Sequence, residues 1–191
     1  METKRRLYTA NIVDTVIFRS LGKSSSSHFQ SLKDAVEQAG TELWVPSPIY
    51  RELTNHGTEP PVNPYLDDGL EEGWIRVAIP LVGNRDDAFE SVTSPVEQAQ
   101  HLADEFLNQQ SKYPVLNNWR DASIVALAVR LFERNARIRI ITHTADEGLA
   151  RACVRIPPEF GYHEIESRYY NPPQAAKDEF PTVEALTWSG Q

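Results

Sequence analysis

A chain of 191 residues, 40% hydrophobic and 24% charged, is long enough for one domain with a full hydrophobic core. Its net charge of −8 excludes sequence-blind coating of nucleic acid, which needs a basic surface, but not a nuclease whose own acids hold cations. One cysteine, Cys153, excludes an internal disulfide framework and points to a reducing cytoplasmic compartment. No run approaches the ~20 apolar residues of a membrane span. The opening METKRRLYTA has basic residues but no apolar stretch after them, so no secretory signal is expected.

Residues 7 to 14 read as a buried strand that ends at Asp14, after which the apolar run Val16-Ile17-Phe18 resumes. An unpartnered buried carboxylate costs several kcal/mol or more, so Asp14 must sit at an open strand end, meet a cation or be neutralised. SSSS at 24 to 27 is a capping-rich turn before a helix whose Phe29, Leu32, Ala35, Val36 and Ala39 share one face, with Gly40 as its stop. A short strand follows at 41 to 45, then a helix capped by Ser47 with Pro48 at its first position and Glu52 in its body.

Residues 55 to 72 read as loop, rich in Gly, Pro, Asn and Asp. A strand is expected at 74 to 79 and a second loop at 82 to 93. Ser94, Pro95 and Glu97 then open a helix in capping-box fashion, with Val96, Ala99, Ala103, Phe106 and Leu107 as its stripe. This amphipathic helix suits the core, or the surface of a homodimer. NNWRDASIVALAVRLFERNA is the most apolar helix and should pack on both sides. A strand at 137 to 142, a short helix over TADEGLARAC and a last strand at 161 to 165 complete the pattern. The tail from 171 to 191 is broken by prolines and reads as a surface wrap beyond a domain of residues 1–170.

Alternating strands and helices without repeats favour a doubly wound α/β domain with a mainly parallel sheet. Ligands of such sheets bind beyond the carboxyl ends of the strands, where Asp14 ends its strand. Glu52, Asp121 and Asp146 occupy comparable places. Four carboxylates converging there would repel one another unless divalent cations lay between them, and hard oxygen donors suit Mg²⁺ or Mn²⁺. Plainer readings exist for three of them. Asp121 is also a favourable first-turn acid, Asp146 lies in a Thr144–Glu147 capping box, and Glu52 fits a solvated helix face. Asp14 is harder to explain in this way, since a strand-end Asp followed by another apolar run has no capping role.

IVDTVIF, VPSPIYREL, RDASIVALAV and IITHTADEGL, in this order, resemble the PIN-domain nucleases over about residues 8 to 165. The resemblance implies a three-layer α/β/α sandwich and divalent-metal-dependent hydrolysis of RNA phosphodiester bonds. It carries Asp14, Glu52, Asp121 and Asp146 over as the metal-site acids. It also brings the roles known for such proteins: the toxin of a toxin–antitoxin pair, with an antitoxin or other protein partner, or an RNA-processing enzyme. The ADEGL segment is similar to that of the RNA-free ribonuclease P proteins.

Two positions depart from the family pattern. Val16 stands where Asn or Ser is usual, and Thr144 where the last acid is often found, which displaces that acid to Asp146. These departures favour a second reading, a catalytically degenerate PIN-like scaffold that binds RNA or protein. A phosphatase using Asp14 as nucleophile fits less well, because Val16 replaces the second acid such enzymes need.

Substrate contacts are expected from Thr15, Arg51, Arg120, Thr142 and Thr144, with Thr15 also able to orient an acid. Arginine outnumbers lysine fourteen to five, and guanidinium is the better bidentate partner for phosphate. Arg151 is a further candidate. Trp119 reads as core, with base stacking as its alternative. His143 reads as an exposed strand-end histidine and Cys153 as a small buried residue.

Overall fold

The computed structural model describes residues 7–22, 26–54, 65–78, 94–110 and 118–190. Five strands, β1 (Tyr8–Val13), β2 (Glu42–Pro46), β3 (Ile75–Ala78), β4 (Ile138–Thr144) and β5 (Ile165–Tyr169), form one sheet in the order β3-β2-β1-β4-β5. Every pairing is parallel. Parallel neighbours need crossovers, and the crossovers put helices on the sheet faces, so the central strands are covered on both sides. That is why β1 and β4 contain near-continuous apolar runs, with Ala10, Ile12, Val13, Ile140 and Ile141 all fully buried.

One face carries α5 (Pro95–Gln110), α6 (Trp119–Arg134) and α7 (Glu147–Arg155). The other carries α1 (Thr15–Leu21) and α2 (Ser27–Ala39), joined by α8 (Ala176–Glu179) and α9 (Val183–Leu186) from the carboxyl-terminal segment. The expected three-layer α/β/α sandwich is therefore the observed fold. Several local expectations also hold. Ser26 caps α2, accepting the Phe29 amide at 3.2 Å, and Gly40 closes it in the left-handed region at φ 61°. Ser94 and Glu97 make the reciprocal bonds of a capping box, at 3.2 and 3.3 Å. α6 is buried on nearly all sides from Ala122 to Phe132, between the sheet, α5 and α7.

Some expectations need correcting. The stretch read as loop up to residue 72 ends in a helix, α4 (Tyr65–Glu72), which follows α3 (Ser47–Thr54) in chain order. Leu66 is fully buried, and a Cβ on Gly69 would lie 2.5 Å from the Ile75 side chain. The glycine that reads as a helix breaker is what lets α4 lie against β3. The last strand is Ile165–Tyr169 and not 161–165, because Gly161 at φ 85° closes a short 3-10 turn first. The expected loops at 55–64 and 82–93 lie outside the described residues.

The tail also packs more deeply than its prolines suggest. Phe180 is fully buried and Leu186 nearly so, on the face of the sheet that carries Asn11 and His143. His143, expected to be exposed, is buried there. Its Nε2 lies 2.8 Å from Asn11 Oδ1 and its Nδ1 2.9 Å from the Tyr170 hydroxyl. The Asn11 amide nitrogen is already committed to Thr41 Oγ1 and the Leu186 carbonyl, so Oδ1 must accept from Nε2–H. Burial, with the nearby Arg168 charge, holds the imidazole neutral down to about pH 3.

Candidate metal centre at the carboxyl edge of the sheet

Strands β1 and β4 are central neighbours whose following connections depart to opposite sides, which makes their carboxyl ends the switch point of the sheet. Asp14 lies one residue past β1. Its backbone takes the N-cap position of α1, yet its side chain caps nothing. The carboxylate turns instead to β4, where the Thr144 hydroxyl donates to Oδ2 at 2.8 Å. Asp14 is only 4% exposed. Burial pushes its pKa up to about 7, helped by the charges of Asp121 and Asp146 and opposed by the Thr144 bond.

Asp121 enters from the first turn of α6. Burial raises its pKa to about 6, with Asp146 and Glu52 adding repulsion and Arg120 offsetting part of it. These pairs link the four acids through Asp121, which feels Asp146 and Glu52 and acts on Asp14. They are not equivalent. Asp146 is the N-cap of α7, with Oδ1 accepting the Leu149 amide at 2.8 Å, while its own amide donates to Thr144 Oγ1 at 3.0 Å. Its capping role, expected for Thr144, is taken by Asp146 itself, and Thr144 links the cap to Asp14.

Glu52 is held by three groups. Thr15 donates to Oε2 at 3.3 Å, Arg19 from α1 pairs with Oε1 at 2.9 Å, and Arg120 approaches Oε2 at 3.7 Å.

The remaining sequence candidates divide clearly. Thr15 is buried and orients Glu52. Thr144 is buried and orients Asp14. Thr142 is buried with its hydroxyl 2.8 Å from Ser167 on β5, so it is not offered to a substrate as expected. Arg51 and Arg120 are exposed, and Arg120 lies within reach of Glu52 and Asp121. Arg151 is tied to Glu147 one helical turn earlier. Trp119 is half-buried, edge-on to His101. Cys153 is fully buried, which pushes its thiol up to about 12 and leaves it unreactive. Arg19 was not a sequence candidate. Its signal was its place four residues after Thr15, one turn along a helix that starts at the strand end.

A family model described as the halobacterial PIN domain matches residues 8–172. The chain belongs to the halobacterial PIN-domain family. No curated protein and no solved structure matches it. PIN domains are a nuclease-type fold that generally uses divalent metal ions, and this PIN domain can be tested for such an ion by its donors. Among the described residues no group of three or more His, Cys, Asp or Glu side chains stands ready to chelate one. The oxygen donors of Asp14 and Asp121 still suit a largely hydrated Mg²⁺ or Mn²⁺, which needs only one or two carboxylates. Both carboxyls have pKa values raised by burial first and by neighbouring acids second. No helix of this PIN domain, among the described residues, is long and apolar enough to cross a membrane.

Proposed function

We propose that the chain is a divalent-metal-dependent endoribonuclease that hydrolyses RNA phosphodiester bonds at the carboxyl edge of its sheet. The observation that carries this reading is the pairing at the switch point of Asp14, which is buried, with Asp121, which is half-buried, each with a pKa raised by burial first and by the other acids second. Asp14 and Asp121 would hold the Mg²⁺ or Mn²⁺. When bound, such an ion supplies a water of lowered pKa and neutralises charge developing on the phosphate. Thr144 keeps one Asp14 oxygen fixed, so the other is presented in a defined direction. Asp146 borders the pair and adds to the field that attracts a cation.

The test is cleavage of a labelled RNA during titration with Mn²⁺ or Mg²⁺, comparing wild type with Asp14→Asn and Asp121→Asn. Cleavage by wild type alone supports the reading, and equal cleavage by all three refutes the assigned site.

A second reading, a PIN scaffold that binds RNA or protein without cutting, is favoured by two observations. Asp146 is committed to its helix cap, and Glu52 to two arginines. Binding of RNA by wild type with no metal-dependent cleavage would select it.

A further inference from the structure

We infer that Arg19 and Arg120, yoked by Glu52, form a clamp for the sugar–phosphate backbone of a single RNA strand beside the Asp14–Asp121 pair. The inference rests on the ribonuclease reading for the identity of the strand but not for the clamp itself.

Each guanidinium uses a different oxygen of one carboxylate, Arg19 on Oε1 and Arg120 on Oε2. Thr15 donates to Oε2 as well, so the carboxylate has little freedom to swing. Both arginine side chains remain more than half exposed, at 53% and 57%, while Glu52 is 25% exposed. A guanidinium has five N–H donors, and these bonds leave most of them facing water. Exposed ion pairs stabilise a fold by only about 0–1 kcal/mol, so stability gives little reason for two arginines on one glutamate.

Charge gives a better reason. Two guanidiniums against one carboxylate leave a local positive charge on a molecule whose total is −8. A polyanion approaching four acids would be repelled without such a foothold. The foothold abuts the acids through the chain itself, because Arg120 precedes Asp121 and Arg19 lies one turn along the helix that Asp14 begins. Two guanidiniums bridged by one carboxylate suit neighbouring phosphates of one strand, an interaction that positions the substrate without reading its sequence. In this arrangement Glu52 is a positioning residue for the arginines and not a metal ligand.

The experiment is fluorescence anisotropy of a labelled single-stranded RNA in EDTA, across a salt series, so that binding is read without cleavage. Deleting one arginine–phosphate interaction should flatten the slope of log K against log salt by about 0.7. Arg19→Ala and Arg120→Ala should each weaken binding several-fold and flatten the slope by about that amount. Arg19→Lys should keep the slope, and Arg139→Ala, near the amino end of β4 where its partner is Glu164, should match wild type. Failure of wild type to bind at low salt, or wild-type slopes in both alanine variants, overturns the clamp. Cleavage is assayed separately with Mn²⁺, so the two readings fail independently. A clamp without cleavage leaves the inference standing and removes the nuclease, whereas cleavage with unchanged slopes does the reverse.

Discussion

The Thr144 hydroxyl donates to the Asp14 carboxylate at 2.8 Å, joining the ends of two central strands across 130 residues of chain. The same oxygen accepts the Asp146 amide, so one threonine ties the buried acid to the cap of α7. Where the resemblance to the family led us to expect an acid, this chain has a hydroxyl that favours the ionised form of Asp14. Thr144→Val removes that bond and leaves the Asp146 amide without an acceptor. It should cost about 1–3 kcal/mol of stability in a urea melt. It should also raise the Asp14 pKa above about 7, which moves the acid limb of any pH–activity profile upward.

Asp14 itself should weigh on the fold at neutral pH. Its folded pKa, about 7, is raised above the ordinary 3.8, so its contribution to stability is fully present below pH 3.8 and is lost as pH rises through 7. Asp14→Asn removes the charge and keeps an acceptor for Thr144. In metal-free buffer at pH 8 the variant should therefore be more stable than wild type by an amount on the order of a few kcal/mol, and no more stable at pH 4. Paired thermal melts at the two pH values measure this.

His143 acts in the opposite sense. Its folded pKa is lowered to about 3 from 6.5, so its contribution is fully present above pH 6.5 and is lost as pH falls toward 3. His143→Gln should destabilise the protein at pH 7, since it breaks the bonds to Asn11 and Tyr170. The deficit relative to wild type should shrink as pH drops from 7 to 5. A constant deficit across that range would mean that His143 titrates normally.

The carboxyl-terminal segment should behave as core. Phe180 packs edge-on to His143, with ring centres 4.7 Å apart, and has no exposed surface. Phe180→Ala should cost about 3–5 kcal/mol, as deletion of a large buried ring does. Removing residues 171–191 should cost more, because Leu186 and the Leu186 carbonyl bond to Asn11 go with it. Chemical denaturation of both variants tests this.

The outline of the fold could be read from the chain because its signals were long or chemically specific. The apolar run of α6 spans about three turns, and the capping box at Ser94 and the stop at Gly40 each announce a helix end. Signals that depend on a distant partner were hidden. In YLDDGLEE, acids and a glycine mask a helix anchored by Leu66, by Leu70 and by the close approach of Gly69 to Ile75. Prolines masked the burial of Phe180. At the candidate site the acids stood out, since a carboxylate within an apolar run has few innocent explanations. Which of them are otherwise engaged did not, because the Asp146 cap and the Arg19–Glu52 pair depend on side-chain direction. His143 was misread for the same reason. Thr142 and Thr144 flank it in sequence, but strand alternation sends its ring to the opposite face, where Asn11 and Tyr170 wait.

The central claim is that Asp14 and Asp121 together attract a divalent cation. Mn²⁺ binding by isothermal titration calorimetry at pH 7.5, on wild type, Asp14→Asn and Asp121→Asn, tests it most directly. The account predicts one ion bound by wild type and an affinity at least about tenfold weaker in each variant, the loss expected when one of two ligating carboxylates is removed. Mn²⁺ bound equally by all three proteins would contradict it.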